Sequence, residues 1–129
     1  MIIDASVGAK WVLLKNEKYR KEAIFLLSQH SSDIEKITVL DIFFYEIANT
    51  LATKSDIPPK ESLKSLKAIF KTNLVVYRPT EQDLLLATKL SKKYKTTVYD
   101  MLYAVIAKTH HTTLITADEN FLKKTRFKF

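Results

Sequence analysis

The chain has 129 residues, of which 47% are hydrophobic and 27% charged, a composition typical of one soluble globular domain. It contains no cysteine, which excludes disulfides and thiolate metal sites, and its single glycine excludes a glycine-rich phosphate loop. The net charge of +7 favours polyanionic partners such as RNA or DNA, although a lysine-rich soluble surface explains it equally well. We expect a cytoplasmic protein without a membrane segment, because the longest apolar runs are only as long as strands.

The chain begins with an apolar strand, residues 1–3, that ends at the carboxylate of Asp4. A helical pattern follows at once, and Ser6 is placed to cap that helix. A continuous apolar run joined directly to a helix is typical of a central parallel strand, and open α/β sheets bind ligands at the carboxyl ends of such strands. Taken alone, Asp4 is also explained as a turn or cap residue.

The rest of the chain alternates strands with helices, which predicts an α/β fold with a parallel sheet of four to five strands in a single domain over residues 1–129. Further strands are predicted at 36–40, 73–77, 112–116 and 126–129. Helices are predicted at 16–30, 41–55, 60–71, 81–94, from 98 onward and at 119–124. The two helices between the second and third strands make one long crossover.

The helix at 41–55 is apolar nearly all round and is therefore expected to be buried. It contains Glu46 and Asn49, which are three residues apart and so lie on one face. A lone glutamate on a helix is usually solvated, but a buried one needs a partner because an unpaired buried charge is costly. We therefore expect Glu46 to share a site with Asp4.

Two later acidic residues extend this site. Asp118 follows the strand at 112–116 as Asp4 follows the first strand, and the carboxyl ends of parallel strands share one edge of the sheet. Asp100 lies in the first turn of the helix that begins near Val98, where the helix dipole favours a negative charge, so capping is an alternative explanation for it. We expect Asp4 and Asp118 to face one cleft, with Glu46 and Asp100 within reach from helices that pack beside that edge.

Carboxylates gathered within ~4 Å repel by roughly 1 to 4 kcal/mol per pair, so the cluster must protonate or bind cations. Without cysteine, oxygen ligands favour Mg²⁺ or Mn²⁺ over Zn²⁺. His110 and His111 occupy adjacent helical positions that diverge, and we do not expect them to bind one metal ion together.

The order and spacing of these residues resemble the PIN-domain ribonucleases, most closely the VapC-type toxins of toxin-antitoxin pairs. The resemblance covers nearly the whole chain and is carried by Ile3-Asp4-Ala5-Ser6, Glu46 with Asn49, Thr97-Val98-Tyr99-Asp100 with Tyr103 and Ala107, and Thr116-Ala117-Asp118. It implies a Rossmann-like α/β/α sandwich. It further implies a metal site formed by Asp4, Glu46, Asp100 and Asp118 and supported by Ser6, Asn49 and Thr116. A homodimer and a cognate VapB-type antitoxin that covers the cleft are also implied.

The expected function is a Mg²⁺- or Mn²⁺-dependent endoribonuclease, with Lys123, Lys124 and Arg126 holding the RNA backbone. The alternative is a non-catalytic basic module that binds RNA or a partner, in which the carboxylates are structural. Enzymes that form an aspartyl-phosphate are disfavoured. The haloacid-phosphatase pattern needs a second Asp where Ser6 stands, and the receiver pattern needs adjacent acids where Ala5 follows Asp4.

Overall fold

The structure is a computed structural model that describes residues 1–13 and 17–126. The strands are β1 (Ile2–Ile3), β2 (Thr38–Leu40), β3 (Val75–Tyr77) and β4 (Leu114–Ile115). The helices are α1 (Ala5–Val12), α2 (Arg20–Ser31), α3 (Ile42–Thr53), α4 (Pro59–Phe70), α5 (Glu81–Tyr94), α6 (Val98–Thr109) and α7 (Glu119–Thr125). The predicted start of the second helix at Asn16 and residues 127–129 of the predicted last strand lie outside the described residues, and Arg126 ends α7.

The described strands form one parallel sheet in the order β3-β2-β1-β4, which confirms the predicted α/β class. Ile2 pairs with Thr38 on one side and with Leu114 on the other, so β1 is a central strand. The chain adds β2 and β3 on one side of β1 and then returns to add β4 on the other side. Ligands of open α/β sheets bind at the carboxyl ends of strands where the winding reverses in this way. Asp4 directly follows β1 at this point, and Asp118 follows β4 after Thr116 and Ala117.

Helices cover both faces of the sheet and give it the α/β/α layering. Ile3 and Val39 pack into a core with α1, α2, α3 and α4, whereas Ile2 and Leu40 pack into a second core with α5, α6 and α7. Neighbouring residues of one strand enter different cores because side chains alternate between the two faces of a sheet. Within the described residues, no helix is long and apolar enough to cross a bilayer.

Gly8 allows α1 to pack closely on α3. A Cβ atom at Gly8 would lie 2.5 Å from Cε2 of Phe43 and 3.1 Å from Cδ1 of Ile47. The Phe43 ring is fully buried and packs against the rings of Trp11 and Phe44, with centroids 6.0 Å and 5.5 Å away, so it has little room to move. The close approach keeps the middle of α1 against the first half of α3.

The expectation that the helix at 41–55 is buried nearly all round is wrong. α3 buries Phe43, Ile47 and Leu51, which are spaced by four residues, whereas Tyr45 is 73% exposed. A helix in an outer layer contacts its neighbours on one side only, so an apolar residue on its other side remains in solvent.

Candidate acidic active site

Four carboxylates from separate segments line one pocket of about 180 Å³ at the carboxyl edge of the sheet: Asp4, Glu46, Asp100 and Asp118. The other described residues that line it are Ala5, Ser6, Ala9, Thr50 and Lys54. The pocket lies between the segments that follow β1 and β4, where the winding of the sheet reverses.

Asp4 is buried and caps the amino end of α1. Its Oδ1 accepts hydrogen bonds from the backbone N–H groups of Ser6 at 3.0 Å and Val7 at 3.3 Å. Burial raises the pKa of Asp4, and the negative charge of Asp100 adds to this, while hydrogen bonds from Ser6, Thr116 and Val7 oppose it. The prediction that Ser6 caps this helix is wrong, because Asp4 has the extended backbone that precedes the first helical residue.

Ser6 instead ties the segment after β1 to the segment after β4. Its hydroxyl donates to Oδ1 of Asp4 at 2.5 Å and accepts a hydrogen bond from the backbone N–H of Ala117 at 2.8 Å. The hydroxyl of Thr116 lies 3.4 Å from that of Ser6 and accepts from the backbone N–H of Asp118 at 3.0 Å. These contacts tie together the two segments that bring Asp4 and Asp118 to one pocket.

Asp118 and Asp100 also interact with helix amino ends. Asp118 caps α7 by accepting a hydrogen bond from the backbone N–H of Phe121 at 2.9 Å. Asp100 lies in the first turn of α6, as predicted, and its Oδ2 accepts from the hydroxyl of Thr97 at 2.8 Å. Burial raises the pKa of Asp100, Asp118 raises it further, and Thr97 and Lys124 lower it. A carboxylate can therefore lie at the amino end of a helix and line the pocket at the same time.

Glu46 lies within α3 and has no capping role. Its Oε1 accepts a hydrogen bond from the hydroxyl of Tyr103 at 3.0 Å. Burial raises the pKa of Glu46 to about 7; the charges of Asp100 and Asp4 contribute to this, and the bond from Tyr103 opposes it. The pKa of the Tyr103 hydroxyl is raised by burial and by Glu46, so this hydroxyl stays protonated and remains a donor. The sequence motifs include Tyr103, three residues after Asp100, but they indicated no role for it.

Asn49 is exposed and does not line the pocket, whereas Thr50 and Lys54 do. Residues three and four positions after Glu46 both lie near its face of the helix, so sequence spacing alone does not choose between them. The polar residues Glu46, Thr50 and Lys54 recur every four positions in a largely apolar segment, and this spacing is the signal that the sequence offered.

A model of the PIN-domain family matches residues 1–127. The chain belongs to the PIN-domain family. This confirms the resemblance seen in the sequence motifs, and it places the chain in a family of nucleases that generally use divalent metal ions.

The PIN domain is also similar to a solved structure, VapC20 of Mycobacterium tuberculosis, which is described as a Sarcin-Ricin loop cleaving toxin. The TM-score is 0.73 and the sequence identity 12%, and the alignment covers 96% of this chain and 94% of VapC20. At this identity the similarity shows a shared fold. No curated protein sequence gives a significant match.

The oxygen atoms of the PIN-domain pocket suit a hard divalent cation, because its four acidic residues all carry carboxylates. The raised pKa values of Asp4, Glu46 and Asp100 reflect burial and mutual repulsion, which a bound cation would offset. In residues 1–13 and 17–126, however, no three acidic or histidine side chains are arranged so that they could hold one ion. Binding of a metal ion by three of these residues therefore requires carboxylate side chains to rotate toward one another.

The basic residues predicted to hold RNA differ in their relation to the PIN-domain pocket. Lys124 lies close enough to Asp100 for its positive charge to lower the pKa of that carboxyl group. Its Nζ donates a hydrogen bond to the backbone carbonyl of Lys95 at 2.9 Å. Lys123 and Arg126 are exposed at the end of α7 and do not line the pocket. Lys124 is thus the member of this group with a structural link to the acidic site.

Proposed function

We propose that this PIN domain is a metal-dependent endoribonuclease that hydrolyses phosphodiester bonds in RNA. The observation that carries the proposal is the pocket at the sheet edge, where Asp4, Glu46, Asp100 and Asp118 arrive from four separate segments. Membership of a nuclease family supports the reaction class. The net charge of +7 supports a polyanionic substrate.

The four carboxylates would hold Mg²⁺ or Mn²⁺. When bound, the cation supplies activation of water and stabilisation of charge on the scissile phosphate. Ser6 and Thr116 keep Asp4 and Asp118 in place through the hydrogen bonds between the two strand ends. Tyr103 orients Glu46, and Lys124 with its basic neighbours Lys123 and Arg126 attracts the RNA backbone.

We further propose that the protein is the toxin of a type II toxin-antitoxin pair. The shared fold with VapC20, a toxin that cleaves the Sarcin-Ricin loop, supports this role and RNA as the substrate class. The role implies a cytoplasmic homodimer of single-domain chains and a VapB-type antitoxin that covers the acidic pocket.

The test is cleavage of labelled RNA by the purified protein with Mg²⁺, with Mn²⁺ and with a chelator. We expect cleavage that requires the cation and is lost in Asp4→Asn and Asp100→Asn. Asp56→Asn is the matched control, because Asp56 is exposed and does not line the acidic pocket. Cleavage that persists in the chelator, or in both pocket variants, would contradict the proposed mechanism.

The alternative, a non-catalytic module that binds RNA or a partner, is favoured by the capping roles of Asp4 and Asp118. It predicts RNA binding without cleavage and no effect of Asp4→Asn on affinity. Glu46 separates the two functions, because it is a partly buried acid within a helix and no capping role explains it.

A further inference from the structure

Lys54 is the only cation among the described residues that line the acidic pocket. It is exposed at the end of α3, where its backbone N–H donates to the carbonyl of Thr50 at 2.9 Å. Glu46, Thr50 and Lys54 form one stripe of α3 along the pocket. Eight residues of helix place the Lys54 backbone about 12 Å from that of Glu46 along the axis, so this exposed lysine lies at the rim of the pocket.

The charge of Lys54 is available to a ligand. In the part of the chain that the structure describes, the lysines that form ion pairs are Lys10, Lys18 and Lys36, with Glu17, Glu119 and Asp33. No described acidic group lies within ion-pairing distance of Lys54. Its ammonium group therefore gives up no ion pair among these residues when it binds an anion.

Lys54 and Lys124 belong to segments that follow strands on opposite sides of β1. α3 follows β2 and α7 follows β4, and these strands lie on either side of β1, from which Asp4 extends. Lys124 acts electrostatically on Asp100, and Lys54 continues the stripe that begins at Glu46. A nucleic-acid strand that runs between these two segments would meet both cations as it passes the carboxylates.

We propose that Lys54 binds the phosphate that neighbours the scissile phosphate in the RNA strand. This proposal rests on the proposed nuclease function. A lysine is a flexible point charge suited to a phosphate oxygen. At the rim of an acidic pocket it also offsets the repulsion between the carboxylates and the incoming strand.

The proposed contact between Lys54 and a phosphate is confined to the rim of the acidic pocket. Beyond Lys54 lies a groove of about 630 Å³, which Lys54 also lines together with Glu17, Asp56, Glu61 and Lys64. The acidic residues of this groove offset its lysines, so it does not attract a phosphate backbone as a basic groove would. The structure therefore assigns one phosphate contact to Lys54, and Lys64 is the matched control lysine because it lines the groove without lining the acidic pocket.

The test is the salt dependence of binding to a short fluorescent single-stranded RNA, measured by anisotropy in an Asp4→Asn background that does not cleave. Lys54→Ala is expected to reduce the slope of log K against log salt by about 0.7, whereas Lys54→Arg and Lys64→Ala leave it near the parent value. With Asp4 intact, Lys54→Ala is expected to raise the KM for RNA cleavage by about three- to tenfold with a smaller effect on kcat.

An unchanged slope and KM in Lys54→Ala, while the parent protein cleaves RNA, would overturn the role of Lys54 and leave the nuclease function intact. An equal loss of slope in Lys64→Ala would also overturn it, because the effect would then belong to the general field of the surface. Absence of Mg²⁺-dependent cleavage by the parent protein would instead contradict the proposed function itself.

Discussion

The hydroxyl of Tyr103 on α6 donates a 3.0 Å hydrogen bond to Oε1 of Glu46 on α3. Tyr103 is 1% exposed and Glu46 is partly buried, so the bond joins two helices inside the protein and fixes one oxygen of an acid in the pocket. The two helices pack on opposite faces of the sheet, and this bond connects them beyond its carboxyl edge.

Removal of this hydroxyl is expected to disturb Glu46 while leaving the packing in place. Tyr103→Phe keeps the ring and deletes the donor, so it should cost about 1 to 2 kcal/mol of unfolding free energy at neutral pH and reduce kcat more than it changes KM. Urea denaturation and RNA cleavage measure the two effects. Tyr99→Phe is the control because Tyr99 is 61% exposed. Equal kinetics in the two variants would show that Tyr103 does not position Glu46.

The stability of the metal-free protein is expected to decrease as pH rises. Burial raises the pKa of Glu46 from 4.5 to about 7, so the unfolded chain loses this proton at lower pH than the folded protein. The resulting stabilisation is fully present below about 4.5 and is lost between there and about 7. The raised pKa values of Asp4 and Asp100 act in the same direction.

Glu46→Gln removes this titration. Chemical denaturation in a chelator should therefore show a flatter dependence of stability on pH than in the parent, with Glu46→Gln the more stable protein above pH 7. Glu61→Gln, at an exposed position of α4, is the control. If the parent and Glu46→Gln curves run parallel, burial of Glu46 is not the source of the pH dependence.

Two substitutions at Asp4 separate its capping role from its charge. Asn caps helices about as well as Asp, so Asp4→Asn should fold normally, whereas Asp4→Ala should lose about 0.5 to 2 kcal/mol of unfolding free energy. Both should abolish cleavage. Both should also weaken the rise in Tm that Mg²⁺ gives the parent protein, because a ligand stabilises the folded state according to its affinity. A full Mg²⁺ response in Asp4→Asn would remove Asp4 from the metal site.

Gly8→Ala is expected to destabilise the protein although alanine is the better helix former. The added Cβ would clash with the buried Phe43 ring, and overpacking of this kind costs about 1 to 3 kcal/mol, against a gain of about 1 kcal/mol in helix propensity. Phe43→Leu should recover part of the loss, and a double-mutant cycle by urea denaturation measures the coupling. Additive effects of the two substitutions would show that α1 and α3 do not meet tightly at this point.

The sequence predicted the parallel sheet. It also predicted that Asp4 and Asp118, which follow β1 and β4, meet at one edge of that sheet. Apolar runs that alternate with helical patterns are local signals, and parallel strands bring their carboxyl ends to one edge whatever the details of packing. Asp4 and Asp118 therefore line one pocket, and the motifs identified the PIN family. The start of α5 was also predicted, because the capping box of Thr80 and Asp83 is formed within a single turn.

Only the tertiary structure decided which side of α3 faces the pocket. Near Glu46, spacing allows either Asn49 or Thr50, and the rotation of the helix is set by distant contacts such as that between Gly8 and Phe43. That rotation exposes Asn49, turns Thr50 and Lys54 toward the carboxylates and brings Glu46 within reach of Tyr103. The periodicity of a helix is encoded locally, but its orientation is decided by the packing of residues far apart in the chain.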